Sequence, residues 1–120
     1  MLKQRLHLAE LFDIYGPLLT EKQRGCLEMH LLEDFSMSEI GESLSVSRQA
    51  VYDILHRSEQ TMTEYELKLG LAHRLTQQRQ ELTEIYDELK SLPATSNSRA
   101  VDDILMKLAP YTSKVQEELD

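Results

Sequence analysis

Six positions between Ser38 and Arg57 limit what this chain can fold into more than any others do. Gly41 sits inside a short apolar-periodic segment, with Ile40 before it and Leu44 at the segment's end. Val46 follows a polar corner, and Val51 and Ile54 come next at helical spacing. A helix-turn-helix unit needs this set. A small residue in the first helix lets the second cross close above it. Apolar residues before that position, at the first helix's end, just past the corner and on the inner side of the second helix seal the crossing. Ser47 is expected to cap the second helix, which begins at Arg48. The corner of such units often carries Gly; here it is Ser45.

The flanking sequence reads as helix throughout. Leu8, Leu11, Phe12 and Tyr15 repeat at i, i+3, i+4 and i+7, and Gly16-Pro17 follows. This predicts a first helix over roughly 3–15, ended by a residue free to turn left-handed and one that cannot continue a helix. Thr20 with Gln23 and Ser36 with Glu39 are capping-box pairs. They predict a second helix to about Glu33, with Leu27 and Leu31 inward, and a short third helix from Met37 to Leu44. The fourth helix carries Val51, Ile54 and Leu55 inward and runs on through Met62 towards Leu69, with Gly70 as its break.

Beyond Gly70, Leu71, Leu75, Gln78, Leu82, Ile85, Leu89 and Leu92 alternate spacings of four and three, a heptad seam with one polar member. Such a stripe must be covered. A second copy of the chain would cover it as a two-stranded coiled coil, with Gln78 fixing register at some cost in stability. Alternatively, Val101, Ile104, Leu105 and Leu108 fold back across the turn-rich stretch at Pro93–Ser98 and cover it from within. Both are expected to contribute, and a homodimer is the assembly expected. Pro110 interrupts the last helix, and Val115 and Leu119 extend its stripe. The organisation read is a helix-turn-helix domain over 1–70, a long amphipathic helix over 71–92, a linker over 93–99 and a C-terminal helix over 100–120. The fold class is all-α.

Charge and composition narrow the function. The net charge is −8. Residues 1–60 carry six Lys and Arg against ten Asp and Glu, and residues 61–120 carry seven against eleven. Neither half is basic, so any nucleic-acid contact must come from a local patch. Apolar residues make up 41%, enough for a core without staples. The single cysteine, Cys26, lies in an apolar helical stretch and reads as a buried structural thiol. The histidines, His7, His30, His56 and His73, show no ligand spacing, so no metal is expected. No phosphate-binding loop, dinucleotide fingerprint or nucleophile elbow is present, and no enzymatic role or cofactor is expected. No run approaches the ~20 apolar residues of a membrane span, and the N-terminal stretch, with Lys3, Arg5 and His7, lacks a signal peptide's apolar centre. A cytoplasmic location is expected.

If the fourth helix enters a major groove, its inward positions leave Arg48, Gln49, Tyr52, Asp53, His56 and Arg57 outside, behind the Ser47 cap. Arg48 suits guanine O6 and N7, and Gln49 suits adenine N6 and N7. Tyr52 suits a phosphate or a thymine methyl. Arg57, Lys22 and Arg24 suit phosphates. Asp53 repels phosphates but can accept from cytosine N4. The same surface would also serve protein docking, and Arg48 and Arg57 could simply pair with nearby Asp53 or Glu59 on the surface.

Leu18-Thr20-Gln23-Arg24, Leu27, Ser38-Glu39-Ile40-Gly41, Val46-Ser47-Arg48-Gln49-Ala50-Val51 and Arg57 together resemble region four of bacterial sigma factors. Taken whole, the chain resembles the YlxM family of small helix-turn-helix proteins, over essentially its full length. The resemblance implies a sigma-region-four-like bundle of three to four helices, followed by a long Leu-rich helix and a short C-terminal helix. It also implies a connection with the signal recognition particle pathway, because the family's genes usually lie beside that particle's GTPase. The partners it implies are DNA or the particle's RNA, with the GTPase as an adaptor's target.

Overall fold

The computed structural model describes residues 2–93 and 98–113, and these contain six α-helices and no strand. α1 spans Leu2–Tyr15, α2 Glu21–Leu31, α3 Met37–Leu44, α4 Arg48–Leu69, α5 Leu71–Lys90 and α6 Ser98–Leu108. Single 3-10 turns follow α1, at Gly16–Leu18, and α6, at Ala109–Tyr111; each contains a proline in its first positions. The chain divides into two compact units, one ending at Ala72 and the other beginning at His73.

The predicted caps start three of the helices. Thr20 Oγ1 accepts from the Gln23 N–H, and Gln23 Oε1 accepts from the Thr20 N–H, both at 3.2 Å. Ser36 and Glu39 make the same reciprocal pair at 3.1 and 3.0 Å. The Ser36 backbone N–H, and after it the Ser36 hydroxyl, hydrogen-bond the Glu39 carboxyl and lower its pKa. Ser47 Oγ accepts from the Ala50 N–H at 3.0 Å. Each such cap contributes about 1 kcal/mol.

In the first unit, α4 packs against α1, α2 and α3. One buried cluster joins Leu8, Leu11 and Tyr15 of α1 to Leu19, Leu27 and Met62. A second joins Cys26, Ile40 and Val51, with Leu44, Val46 and Ile54 packed on it. Leu27, Ile40, Val51 and Met62 are wholly buried; a fully buried side chain of this size contributes roughly 1.5–3 kcal/mol. Cys26 belongs to this core, and burial pushes its thiol pKa up. It is structural packing, not a poised nucleophile.

Two side-chain ties join elements far apart in sequence. Arg5 Nη2 donates to the His30 carbonyl at 2.8 Å and to Asp34 Oδ1 at 2.9 Å. The buried Tyr15 hydroxyl donates to Glu66 Oε1 at 2.6 Å, and the same oxygen accepts from the Ala72 N–H at 2.9 Å. Burial, and then the Glu66 carboxylate, raise the Tyr15 pKa. Gly70, at φ 62°, ends α4 in the left-handed conformation.

Three boundaries differ from expectation. α2 stops at Leu31, because Glu33 and Leu32 both donate to the Glu28 carbonyl and Asp34 turns left-handed at φ 57°. α6 begins at Ser98. Leu92, expected as the seam's last member, lies beyond α5 in a turn. It precedes Pro93, whose ring disfavours the helical conformation at the residue before it.

In the second unit, Val101 and Leu105 of α6 line a cavity of about 380 Å³ with Leu89, Leu92 and Pro93. The Ser113 N–H donates to Thr83 Oγ1 at 3.2 Å. The predicted fold-back therefore reaches the Leu89 end of the stripe. Leu75, Gln78 and Ile85 stay exposed, and so does Ile104 on α6. The expected extension through Val115 and Leu119 lies outside the described residues.

Candidate nucleic-acid interface

The α3–α4 corner is set by contact between backbones. The Val46 N–H donates to the Gly41 carbonyl at 2.9 Å. A Cβ on Gly41 would lie 2.8 Å from the Val46 carbonyl oxygen. That oxygen belongs to the chain turning into α4 and cannot swing aside as a side chain would. Ser45 makes the turn in the left-handed region, at φ 58° and ψ 42°. The Gly-type corner conformation is thus kept without the Gly, at about 1–2 kcal/mol of backbone strain.

This corner fixes α4 with Val51 inward and Ile54 and Leu55 half-buried, which turns the polar residues outward. Ser47, Arg48, Gln49, Tyr52, Asp53, His56 and Arg57 are all exposed. The six within α4 form two rows at four-residue spacing. One is Arg48, Tyr52 and His56; the other is Gln49, Asp53 and Arg57. The Arg48 guanidinium lies over the Tyr52 ring, with Cζ 5.9 Å from its centroid. Among the described residues, neither Arg48 nor Arg57 forms an ion pair with Asp53 or Glu59. The two cations are therefore not spent on their acidic neighbours.

Lys22, exposed, and Arg24, half-buried, stand in the first turns of α2. Neither shares a hydrogen bond or ion pair with the α4 set among the described residues. What sequence reasoning missed lies alongside the Arg48, Tyr52 and His56 row. Tyr52, His56 and Glu59 form one wall of an open groove of about 790 Å³. Leu2, Gln4, Arg5 and Leu8 of α1 also line it, as do His30 and Met37. No local spacing signals this meeting of residues some fifty positions apart; the charged turn of α1 around Arg5 is its one trace in the sequence. Burial, and then the Arg5 charge, hold the His30 imidazole below its ordinary pKa, and its Nδ1 has no hydrogen-bond partner among the described residues.

Among the described residues, no group of three or more His, Cys, Asp and Glu side chains could hold a metal ion. Nor is any helix there long and apolar enough to cross a membrane.

A tight α3–α4 corner presenting an unsealed polar ridge defines a helix-turn-helix protein. A family model described as "Putative helix-turn-helix protein, YlxM / p13 like" matches residues 2–104, and the chain belongs to that family, UPF0122. The description is of a helix-turn-helix protein and not of an enzyme. Relatives include the UPF0122 protein of Thermoanaerobacter sp. (strain X514), 39% identical over 96% of this chain and 95% of the relative. Those of Shouchella clausii and Halalkalibacterium halodurans are 40% and 45% identical. They are matched over 90% and 80% of this chain, and over 99% and 87% of their own lengths.

Proposed function

We propose that this chain is a nucleic-acid-binding regulatory protein whose α4 enters the major groove of a duplex. The observation that carries the reading is the outward ridge from Arg48 to Arg57, held by the Gly41 contact and free of internal ion pairs. Arg48 and Gln49, in the first turn behind the Ser47 cap, are the base readers. Arg57, Lys22 and Arg24 contact phosphates, and residues 1–70 form the reading domain. The exposed Leu75, Gln78 and Ile85 of α5 leave room for a second copy, and the working form is a homodimer in the cytoplasm. Three or four phosphate contacts per protomer give a log–log salt slope of about −3 to −4, and pairing two protomers doubles it. The setting follows from the family resemblance: the signal recognition particle pathway, with operator DNA or the particle's RNA as ligand. Duplex contact is favoured because the rings of the α4 ridge are Tyr52 and His56, where a single-strand reader would carry more such platforms.

The test is double substitution of Arg48 and Gln49 by alanine. Selective duplex binding should fall by ~1–3 kcal/mol for each base reader removed, with helicity unchanged because both side chains are exposed. Replacing Leu82 and Leu89 with Glu should halve the mass in solution.

The second reading is a protein adaptor that docks on the targeting GTPase or another partner. The net charge of −8 favours it. It wins if the Arg48 and Gln49 substitutions leave nucleic-acid binding intact and break a protein complex.

A further inference from the structure

We propose that Tyr52 is a positioning residue: its ring holds the Arg48 guanidinium extended along the α4 ridge, so that a guanine edge in the duplex meets a preformed fork. The inference rests on the reading that α4 contacts a duplex, and it adds which base is read and what aims the side chain.

An exposed arginine at the start of a helix has many rotamers and several competing partners. Here the competing partners are not engaged. Asp53 lies five residues on, in the other row, and among the described residues Arg48 pairs with no carboxylate. Instead, its Cζ stands 5.9 Å from the Tyr52 centroid, within the range where a cation is held by the face of a ring. Tyr52 is 46% exposed and lines the groove beside Met37 and Leu55. The backbone beneath is fixed by buried Val51 and by the Gly41 contact.

A guanidinium held over a ring, and not paired with a carboxylate, keeps N–H groups free for another acceptor. Guanine presents O6 and N7 side by side in the major groove, which is the acceptor pair such N–H groups fit. Restricting the side chain beforehand lowers the ordering cost of the contact. Tyr52 therefore acts on base preference through Arg48, and not by touching the base that Arg48 reads.

The experiment begins by selecting bound 20-base-pair duplexes from a random pool with the full chain. Dissociation constants are then measured for the selected duplex and for variants in which each enriched G·C pair becomes A·T. Arg48→Ala should erase the preference at one guanine, a loss of roughly 5- to 150-fold. Tyr52→Leu should lower the preference at that same guanine about two- to fivefold, the range of an exposed cation–ring contact, read as the ratio of the G·C and A·T dissociation constants so that any overall loss of affinity cancels. Tyr52→Phe keeps the ring and should restore the preference. In the free protein, the Arg48 Nε–H resonance should show a ring shift in the wild type and in Tyr52→Phe, and lose it in Tyr52→Leu. An undiminished preference in Tyr52→Leu, or an Nε–H resonance indifferent to the ring, overturns the positioning role. Duplex binding in which Arg48→Ala costs no guanine preference overturns it too, and leaves the duplex reading standing. A wild-type chain that selects no duplex at all overturns both.

Discussion

Leu11, Leu27, Ile40, Val51 and Met62 in the first unit are at most 1% exposed, while Leu75, Ile85 and Ile104 in the second are 49%, 46% and 48% exposed. Both sets recur at helical spacing, so periodicity alone does not separate them. What separates them is the number of helices each stripe can meet. In the first unit, short capped connections turn α1, α2 and α3 onto α4, and each inward residue finds neighbours on several sides. The second unit offers α5 one short helix and a 3-10 turn, and Thr112 is its buried residue among those described. An amphipathic stripe with one narrow partner keeps apolar surface in water. The first unit's stability is thus internal, and the second unit's exposed stripe is available for association.

The widest test of that contrast is truncation on each side of it. Ile40→Ala and Met62→Ala should each cost about 2–5 kcal/mol, because they leave cavities that the surrounding helices cannot close. Leu75→Ala and Ile104→Ala, half in solvent already, should cost within about 1 kcal/mol. Urea unfolding followed by far-UV circular dichroism at low protein concentration measures all four. Equal losses in the two units would erase the contrast. A Leu75→Ala cost that grows with protein concentration would sharpen it, by placing that residue in an association surface.

The next effect compares two glycines inside helices. Helix interiors ordinarily favour alanine over glycine by about 0.5–1 kcal/mol. Gly25, in α2, has nothing within 4 Å of where a Cβ would stand, so Gly25→Ala should give that gain. At Gly41 the Val46 carbonyl oxygen lies 2.8 Å from the same point. There Gly41→Ala should cost about 1–3 kcal/mol, the range for forcing atoms into a packed site. It should also weaken any binding through the α4 ridge. The pair separates helix propensity from corner packing in one experiment.

The legible parts of the fold were those written in neighbouring residues. Thr20 with Gln23, Ser36 with Glu39, and Ser47 each announced a helix start within three positions, and Gly41 announced the crossing. The polar ridge of α4 followed from knowing which side Val51 and Ile54 took. The illegible parts were set across distance. Nothing local foretells that Arg5 reaches Asp34, that Tyr15 shares Glu66 with the Ala72 N–H, or that α1 walls a groove beside Tyr52 and His56. Leu92 falls outside α5 for a different reason: the heptad spacing runs on to it, but Pro93 removed the helix under it. The seven-residue repeat describes side chains, and the backbone rule overrode it.

The groove beside α4 supplies a pH test. Burial and the Arg5 charge lower the folded-state pKa of His30 from its ordinary 6.5, against the opposing pull of Asp34. The unfolded chain then binds more protons than the folded one between those two values. The stabilisation is complete above about pH 6.5 and is lost as pH falls towards the folded-state pKa. His30→Gln should flatten that part of the pH profile of urea midpoints. A wild-type midpoint that does not fall between pH 7 and pH 5, relative to His30→Gln, would contradict the burial of this ring.

The smallest effect runs in the opposite direction, towards greater stability, and it returns to the corner. Ser45 holds φ 58° and ψ 42°, a conformation that costs an L residue about 1–2 kcal/mol and glycine almost nothing. Glycine gives back part of that gain by loosening the unfolded chain, by roughly 0.5–1 kcal/mol. Ser45→Gly should therefore stabilise the first unit by about 0.5–1 kcal/mol, read as a higher urea midpoint with an unchanged slope. Ser45 is exposed, so the exchange leaves the buried packing as it was. The same substitution should leave duplex affinity unchanged if it only relieves strain, because the corner already has the geometry glycine prefers. A gain in stability accompanied by weaker binding would mean that the Ser45 side chain, or the strain itself, belongs to the recognition surface.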